Sequence, residues 1–315
     1  MRVFSERRTT IEFPSTLFEF QARFPDEASC WAYLRRGRWP KGFRCSHCEG
    51  PSYELSRRGL TQCAACGYQA SLTAGTALHG TRVSLRVWFL AFFFVGRHKQ
   101  GISALQLQRD TGLGSYRTAW LLLHKVRAAL GPYPGHLLTG RVEADETYVG
   151  APHEKGRRGG RAFGRKTLVG VVVERRRARG RARLGVLRSH TFEHDLGPFV
   201  RGAIEGARTT VCTDGLATYR PLADVGVRHE FTVQGRDPAR AVRRLPWSHA
   251  VFYHLKSWLR GTFRGVSPKH LPRYLDEFAY RFNHRDRDTE LAGLILERGF
   301  AASPLTYPPL VEGSA

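Results

Sequence analysis

The sequence predicts a chain of two characters, a cysteine-punctuated and helical front half followed by a mixed α/β domain, and three observations carry that reading. Two Cys-x-x-Cys pairs stand close together at 45–48 and 63–66. Three apolar-periodic stretches separated by glycine turns follow them. From about residue 140 the pattern shortens to strand-length apolar runs that alternate with helical ones. At 315 residues the chain exceeds the roughly 100–200 residues usual for one domain, so several domains are expected.

Charge narrows the partner. Fifty Lys+Arg stand against 27 Asp+Glu, a formal net charge of +23, and a surplus of that size fits a polyanion. Most of the basic residues are Arg, whose planar fork suits bidentate phosphate contact. A GC-rich genome accounts for Arg over Lys but not for the surplus. With 42% hydrophobic residues the chain can bury real cores, which excludes a disordered tail. No segment approaches the roughly 20 apolar residues needed to cross a bilayer, and Met1-Arg2-Val3-Phe4-Ser5-Glu6-Arg7-Arg8 has no signal-peptide core. A cytoplasmic, nucleoid-associated protein is expected, in reducing surroundings where six cysteines mean metal or core rather than disulfides.

Five regions are expected in order. Residues 1–42 hold a helical segment, with a helix over 26–36 opened by Pro25-Asp26-Glu27. Residues 43–75 form β-hairpins around the cysteines. Cys45-Ser46-His47-Cys48 and Cys63-Ala64-Ala65-Cys66-Gly67 have 14 residues between them, so two knuckles can each aim two thiolates at one ion and complete a tetrahedral Zn²⁺ site. A redox Cys-x-x-Cys normally comes singly, and four cysteines leave His47 no place in the shell. Gly67 supplies the permissive backbone for the turn. Cys30 and Cys212 are left over as small buried hydrophobes.

Residues 76–135 read as helices over 84–96, 103–111 and 115–130, with a Pro/Gly linker at 132–135. The second and third resemble a helix-turn-helix. Ile102, Leu105 and Leu107 are expected to face Tyr116, Ala119 and Leu123, and Ser115 and Arg117 stand at the front of the second helix, where DNA contacts come from. A plain helical hairpin is the alternative.

Residues 136–300 make up the α/β domain, and 301–315 a tail. Strands are expected over 142–149, 167–174 and 182–189, with a Gly/Arg-rich loop at 155–165. A helix over 195–207, a strand over 209–213, a short helix at 216–223, a strand at 230–234 and helices over 247–263 and 269–283 complete it. That order is ribonuclease H-like, although other mixed α/β domains share parts of it.

Within this domain Glu143, Asp145 and Thr147 alternate onto one strand face, and Asp214 follows an apolar strand and precedes a glycine. Singly, an Asp at a strand end is a turn former or helix cap. Paired in these strands, two Asp suit two-metal phosphoryl transfer, which needs a carboxylate to bridge the ions and further ligands beside it. Asp145 is the candidate bridge and Asp214 the second ligand.

The runs Val142-Glu143-Ala144-Asp145-Glu146-Thr147-Tyr148-Val149-Gly150, Thr213-Asp214-Gly215 with Tyr219, and Lys269-His270-Leu271 through Tyr274-Leu275-Asp276-Glu277-Phe278 to Arg281-Phe282-Asn283 resemble the ISXO-like DDE-type transposases of insertion sequences. Gly75-Thr76-Ala77-Leu78-His79 and the two knuckles extend the resemblance over nearly the whole chain. It implies a metal-dependent transposase that cuts its element ends and joins them to target DNA, with Mg²⁺ as the usual ion. The family's third catalytic position is often Glu, with a base seven residues on. Here Lys256 matches the base, and the position seven before it is His249, with 34 residues between it and Asp214. A neutral imidazole can ligate a divalent metal and shifts preference toward Mn²⁺. His254 is the runner-up ligand, and Glu230, Asp276 and Glu277 are weaker ones. The catalytic set is thus Asp145, Asp214, His249 and Lys256, and the zinc set Cys45, Cys48, Cys63 and Cys66. Double-stranded DNA is the expected partner, and joining two ends implies a homodimer or larger. The rival readings are a non-catalytic DNA-binding protein or repressor derived from a transposase, and a nuclease on RNA hybrids, which the ribbon and helix-turn-helix disfavour.

Overall fold

Apolar residues on both sides of residues 167–174 predict a strand buried on both faces, and the structure builds its larger sheet around that strand and its neighbour. The computed structural model describes residues 12–55, 60–131, 137–150, 166–176, 180–224, 226–231 and 244–305. The expected loop 155–165, the linker 132–135, the end of the strand at 230–234 and most of the 301–315 tail lie outside them. The chain divides into two units, Gly131–Asp286 and Met1–Leu130 with Arg287–Ala315.

The Gly131–Asp286 unit holds a five-stranded sheet. Strand β4 (Leu138–Gly150) is central, antiparallel to β5 (Lys166–Glu174), which pairs antiparallel with β6 (Ala182–Leu187). On its other side β4 pairs in parallel with β7 (Ile204–Thr213), which pairs in parallel with β8 (Arg228–Phe231). In chain order the five strands lie third, second, first, fourth, fifth. This is the ribonuclease H-like arrangement. Even-numbered β4 and β5 residues (Val142, Ala144, Leu168, Val172) pack against the short helix α6 (Gly197–Ala203) and a 3-10 turn, Ala217–Leu222. Odd-numbered residues (Val149, Val169, Val171, Val173) pack against α7 (Pro246–Phe263) and α8 (Leu271–Asn283). Period-two alternation therefore assigns each β4 side chain to a face.

The helix expected over 195–207 is a π-helical turn, Phe192–Leu196, running into α6, and it stops at Ala203 because Ile204 pairs with Leu138 and starts β7. Strand pairing across the sheet overrides the local helical pattern.

In the other unit α1 (Leu17–Arg23) is opened by a capping box between Thr16 and Glu19, a helix the sequence reading did not include. Helix α2 (Glu27–Arg38) follows, capped by Asp26 as expected. Glu27 Oε1 and Oε2 accept the N–H groups of Leu85 and Arg86 at 2.7 and 3.1 Å, so α2 fixes the start of α3 (Leu85–Arg97). Phe13, Phe20, Phe24, Tyr33 and Phe89 form one aromatic cluster, with Phe24 and Phe89 edge to face at 4.9 Å. Helix α3 is buried nearly all round, and among the described residues no helix is long and apolar enough to cross a membrane.

Helix α9 (Leu291–Ala301) packs on α3 and on α5 (Tyr116–Leu130), so the 136–300 boundary expected for the α/β domain is moved forward to Asp286. Two glycines make the approach possible. A Cβ on Gly96 would lie 2.5 Å from the Ala292 Cα, and one on Gly299 would meet the Phe92 ring at 2.6 Å. Replacing Gly96 by Ala should therefore cost about 1–3 kcal/mol and lower Tm in a thermal melt. Gly261, on α7 with open space around it, is the control, and its replacement by Ala should raise stability by up to about 1 kcal/mol. Equal effects of the two would refute the close-packing account.

Candidate active site and metal centre

Strands β1 (Ser52–Leu55), β2 (Leu60–Cys63) and β3 (Gln69–Ser71) form an antiparallel sheet beneath the two knuckles. The knuckles fold alike. Glu49 N–H donates to the Cys45 carbonyl at 2.9 Å, and Gly67 N–H to the Cys63 carbonyl at 3.1 Å. Both turns need positive φ, +71° at Gly67 as expected and +56° at Glu49, where an L side chain is uncommon. The four Sγ atoms lie within 4.8 Å of one another, with Cys45–Cys66 at 3.5 Å and Cys48–Cys63 at 3.4 Å. Around a tetrahedral ion with ~2.3 Å bonds, sulfurs stand about 3.8 Å apart, so the donor set fits Zn²⁺ with small adjustments. The His47 ring lies against Tyr68 at 4.0 Å and is not among the four ligand side chains, while its N–H donates to Cys45 Sγ at 3.4 Å.

Helix α4 (Ala104–Thr111) is capped by Ser103 and closed by Gly112 at φ +68° before α5 begins. Ser115 Oγ accepts the Thr118 N–H at 3.4 Å, so Ser115 caps α5, and Arg117 is exposed beside it. Ile102, Leu107, Ala119 and Leu123 are buried as expected. Leu105 and Tyr116, expected between the helices, are instead 46% and 52% exposed, because the other four already seal the short contact.

In the α/β unit the β4–β7 register sets Glu143 opposite Cys212, and the same offset carried two residues on sets Asp145 beside Asp214, just past the last β7 residue. Parallel neighbours lie about 4.8 Å apart and point the same way. Asp145 is pushed up to about 7, first by burial and then by repulsion from Glu146 and Asp214, so the two aspartates feel each other. Leu216 N–H donates to Asp214 Oδ1 at 2.9 Å, and Gly215 turns the chain at φ +85°.

Helix α7 brings its side chains to the same face. Buried Glu143 anchors it: Oε2 accepts the N–H groups of Trp247 and Ser248 at 2.9 and 2.8 Å, and Arg175 Nε donates to Oε1 at 2.8 Å. Ser248 Oγ donates to Asp145 Oδ2 at 3.1 Å, and His249 Nε2 lies 3.9 Å from that oxygen. Burial, then repulsion from Lys256, lowers the His249 pKa and favours neutral imidazole, against the pull of Asp214. Lys256 Nζ donates to Thr147 Oγ1 at 2.6 Å, and burial with the nearby Arg260 and Lys166 lowers its pKa. Asp145, Asp214, His249 and Lys256 thus share one end of one sheet face. Among the described residues, however, the ribbon cysteines alone form a group of three or more ligand side chains within 4.8 Å.

The weaker candidates lie elsewhere. His254 is exposed on α7 beside Tyr253. Glu230 pairs with Arg141 at 2.5 Å. Glu277 is buried on α8, 3.8 Å from Arg281. Asp276 sits 3.4 Å from Arg273, against Gly131, where any Cβ would collide with its carboxyl, and burial pushes it up to about 6. The anchoring role of Glu143 and the Ser248 bond escaped the sequence reading. Both join residues over a hundred positions apart, and no local pattern marks them.

Residues 137–283 match the ISXO2-like transposase domain, and residues 25–69 the transposase zinc-ribbon domain, a match that takes in α2. Over 282 residues, 82% of this chain and 91% of the relative, the chain is 29% identical to an uncharacterized protein in transposable element ISH50 of Halobacterium salinarum. Among solved structures, a chain of the simian T-cell lymphotropic virus intasome in complex with PP2A regulatory subunit B56 gamma aligns at 13% identity and a TM-score of 0.31, over 58% of this chain and 69% of that one. A similarity that loose adds nothing to the assignments.

Two outcomes follow from the geometry. Cys63→Ser, or chelation, should release one zinc per chain, read by a colorimetric metal assay, and remove amide protection from 45–71; protection that survives metal loss would show that no ion holds the knuckles. Asp276→Asn concerns stability. Its carboxyl titrates higher folded than unfolded, so its contribution is full below about pH 4 and is lost as pH rises through about 6. The variant should match the parent in acid and gain on the order of 2–3 kcal/mol at about pH 7 in urea melts. Parallel stability–pH curves would discount the burial effect.

Proposed function

For a chain that carries an ISXO2-like transposase domain behind a transposase zinc-ribbon domain, we propose a DNA transposase that hydrolyses the phosphodiester at its element ends and transfers the freed strand into target DNA. The observation that carries this reading is the pair Asp145, in β4, and Asp214, one residue past the neighbouring β7, whose charge repels the Asp145 carboxylate. Crowded, half-buried carboxylates of one sign call for a cation, and the donor set of two carboxylates and one imidazole fits Mg²⁺ or Mn²⁺. When bound, such ions polarise the phosphoryl group and neutralise charge on the attacking and leaving oxygens. Asp145 is the proposed bridging ligand, Asp214 the second and His249 the third. With imidazole in place of a third carboxylate the site carries one negative charge fewer, which shifts preference toward Mn²⁺.

Protein groups supply the rest. Ser248 Oγ donates to Asp145 Oδ2 and the Glu146 N–H donates to Oδ1 at 2.8 Å, so the carboxylate is held at both oxygens. Lys256, steadied by Thr147, offers its ammonium to a phosphate oxygen beside the cut. Hydrolysis places a water oxygen on phosphorus and releases a 3′-hydroxyl. That hydroxyl then displaces a 3′-oxygen of the target strand in line, and the number of phosphodiester bonds is kept. The +23 charge and the front of α5, with Ser115 and Arg117, are the proposed DNA-binding features, acting on chromosomal DNA in the cytoplasm. Two ends joined at once require two copies or more of the chain.

His249 also favours a second reading, a binder that has lost catalysis. Purified protein incubated with element-end DNA in Mg²⁺ and then Mn²⁺ separates the two. Nicking at the end is expected, faster in Mn²⁺, with Asp145→Ala and Asp214→Ala each slowing it by roughly 10²–10³-fold or more while the gel shift persists. A shift without nicking in either metal would establish the binder, and undiminished cutting by either variant would remove that aspartate from the site.

A further inference from the structure

Asp145 is held inside β4 by pairing with Val171 of β5, whereas Asp214 has left its strand. It lies one residue beyond β7, before Gly215 and the Ala217–Leu222 turn, so its position follows whatever anchors that turn. The anchor is Tyr219. Its ring is buried in the core on the sheet face opposite α7, and its hydroxyl donates to Glu146 Oε2 at 2.5 Å. Glu146 directly follows Asp145.

The other Glu146 oxygen faces His190 Nδ1 at 3.2 Å, and His190 Nε2 faces the Tyr148 hydroxyl at 2.9 Å. One set of protons satisfies the whole group: Tyr148 O–H donates to Nε2, which leaves Nδ1–H to donate to Glu146. Both oxygens of Glu146 thus have donors, and the residue points to the face that carries Tyr148 and Tyr219. Its arrangement is that of a clamp rather than of a ligand.

We propose that the Glu146–Tyr219 hydrogen bond is a strap that sets Asp214 at its working distance from Asp145, making Glu146 and Tyr219 positioning residues for the divalent-cation site. The strap rests on the metal-site reading of Asp145 and Asp214. It joins the residue after one aspartate to the turn after the other, so the two ligands are tied through the reverse side of the sheet. Outer partners of this kind fix ligand geometry, and losing one typically costs roughly 10–100-fold in metal affinity.

The test is Mn²⁺ binding to the zinc-loaded full chain, followed by the electron paramagnetic resonance of free Mn²⁺, with thermal melts in parallel. Tyr219→Phe removes one oxygen and keeps the buried ring. It should weaken Mn²⁺ by roughly 10–100-fold, with end cutting restored at saturating Mn²⁺. Glu146→Ala should do the same, whereas Glu146→Gln, which keeps an acceptor for Tyr219, should stay within a few-fold of the parent. Parental Mn²⁺ affinity in Tyr219→Phe, or a lower Tm with no change in affinity, overturns the strap and leaves Tyr219 a packing residue. Equal losses in Glu146→Gln and Glu146→Ala overturn it as well, because charge rather than the bond would then matter. Parental affinity in Asp145→Ala would instead bring down the metal-site reading itself, so the two failures are distinguishable.

Discussion

The parallel register of β4 and β7 puts two carboxylates side by side at a sheet end where water is largely excluded, and the rest of the α/β unit answers to that arrangement. Burial first, and then repulsion from Glu146 and Asp214, pushes Asp145 up to about 7. What surrounds the pair is what such a site needs. A hydroxyl from Ser248, a neutral imidazole from His249 and an ammonium from Lys256 all arrive on one helix, α7. The helix is held there by Glu143, whose carboxylate caps its first turn and pairs with Arg175. Burying that charge raises the Glu143 pKa, an effect opposed by the Ser248 N–H and by Arg175.

Strand alternation gives β4 two jobs at once. Its odd residues from Glu143 to Thr147 face α7 and carry the chemistry, while its even residues from Glu146 to Tyr148 face α6 and the Ala217–Leu222 turn and hold the frame. A slip of one residue would exchange the two sets and bury each in the wrong surroundings. The hydrophobic residues of β5, with Val169, Val171 and Val173 on one face and Leu168 and Val172 on the other, make that slip costly.

The front unit is stabilised differently. Its ribbon is too small to bury a core and gathers four thiols instead, whereas its helices rest on an aromatic cluster and on glycine-mediated contact between α3 and α9. The two knuckles reach the same turn from different residues, Gly67 in one and Glu49 in the other. Only the first of these is visible in a composition pattern.

Features governed by local rules were legible in the sequence: cysteine spacing, the capped helices α3, α4 and α5, the strand-length runs of β4, β5 and β6, and the two aspartates, one within a strand-like run and one where an apolar strand ends. The capping box at Thr16 was equally local, but the seven residues of α1 carry too short a periodicity to read as a helix alone. Where α6 stops, which unit holds α9, why α7 docks where it does and how Asp214 is tied to Asp145 were settled only by the tertiary structure. Each depends on strand register or close approach between residues far apart in the chain. Periodicity reports which face of an element is apolar, whereas its partner is chosen by packing.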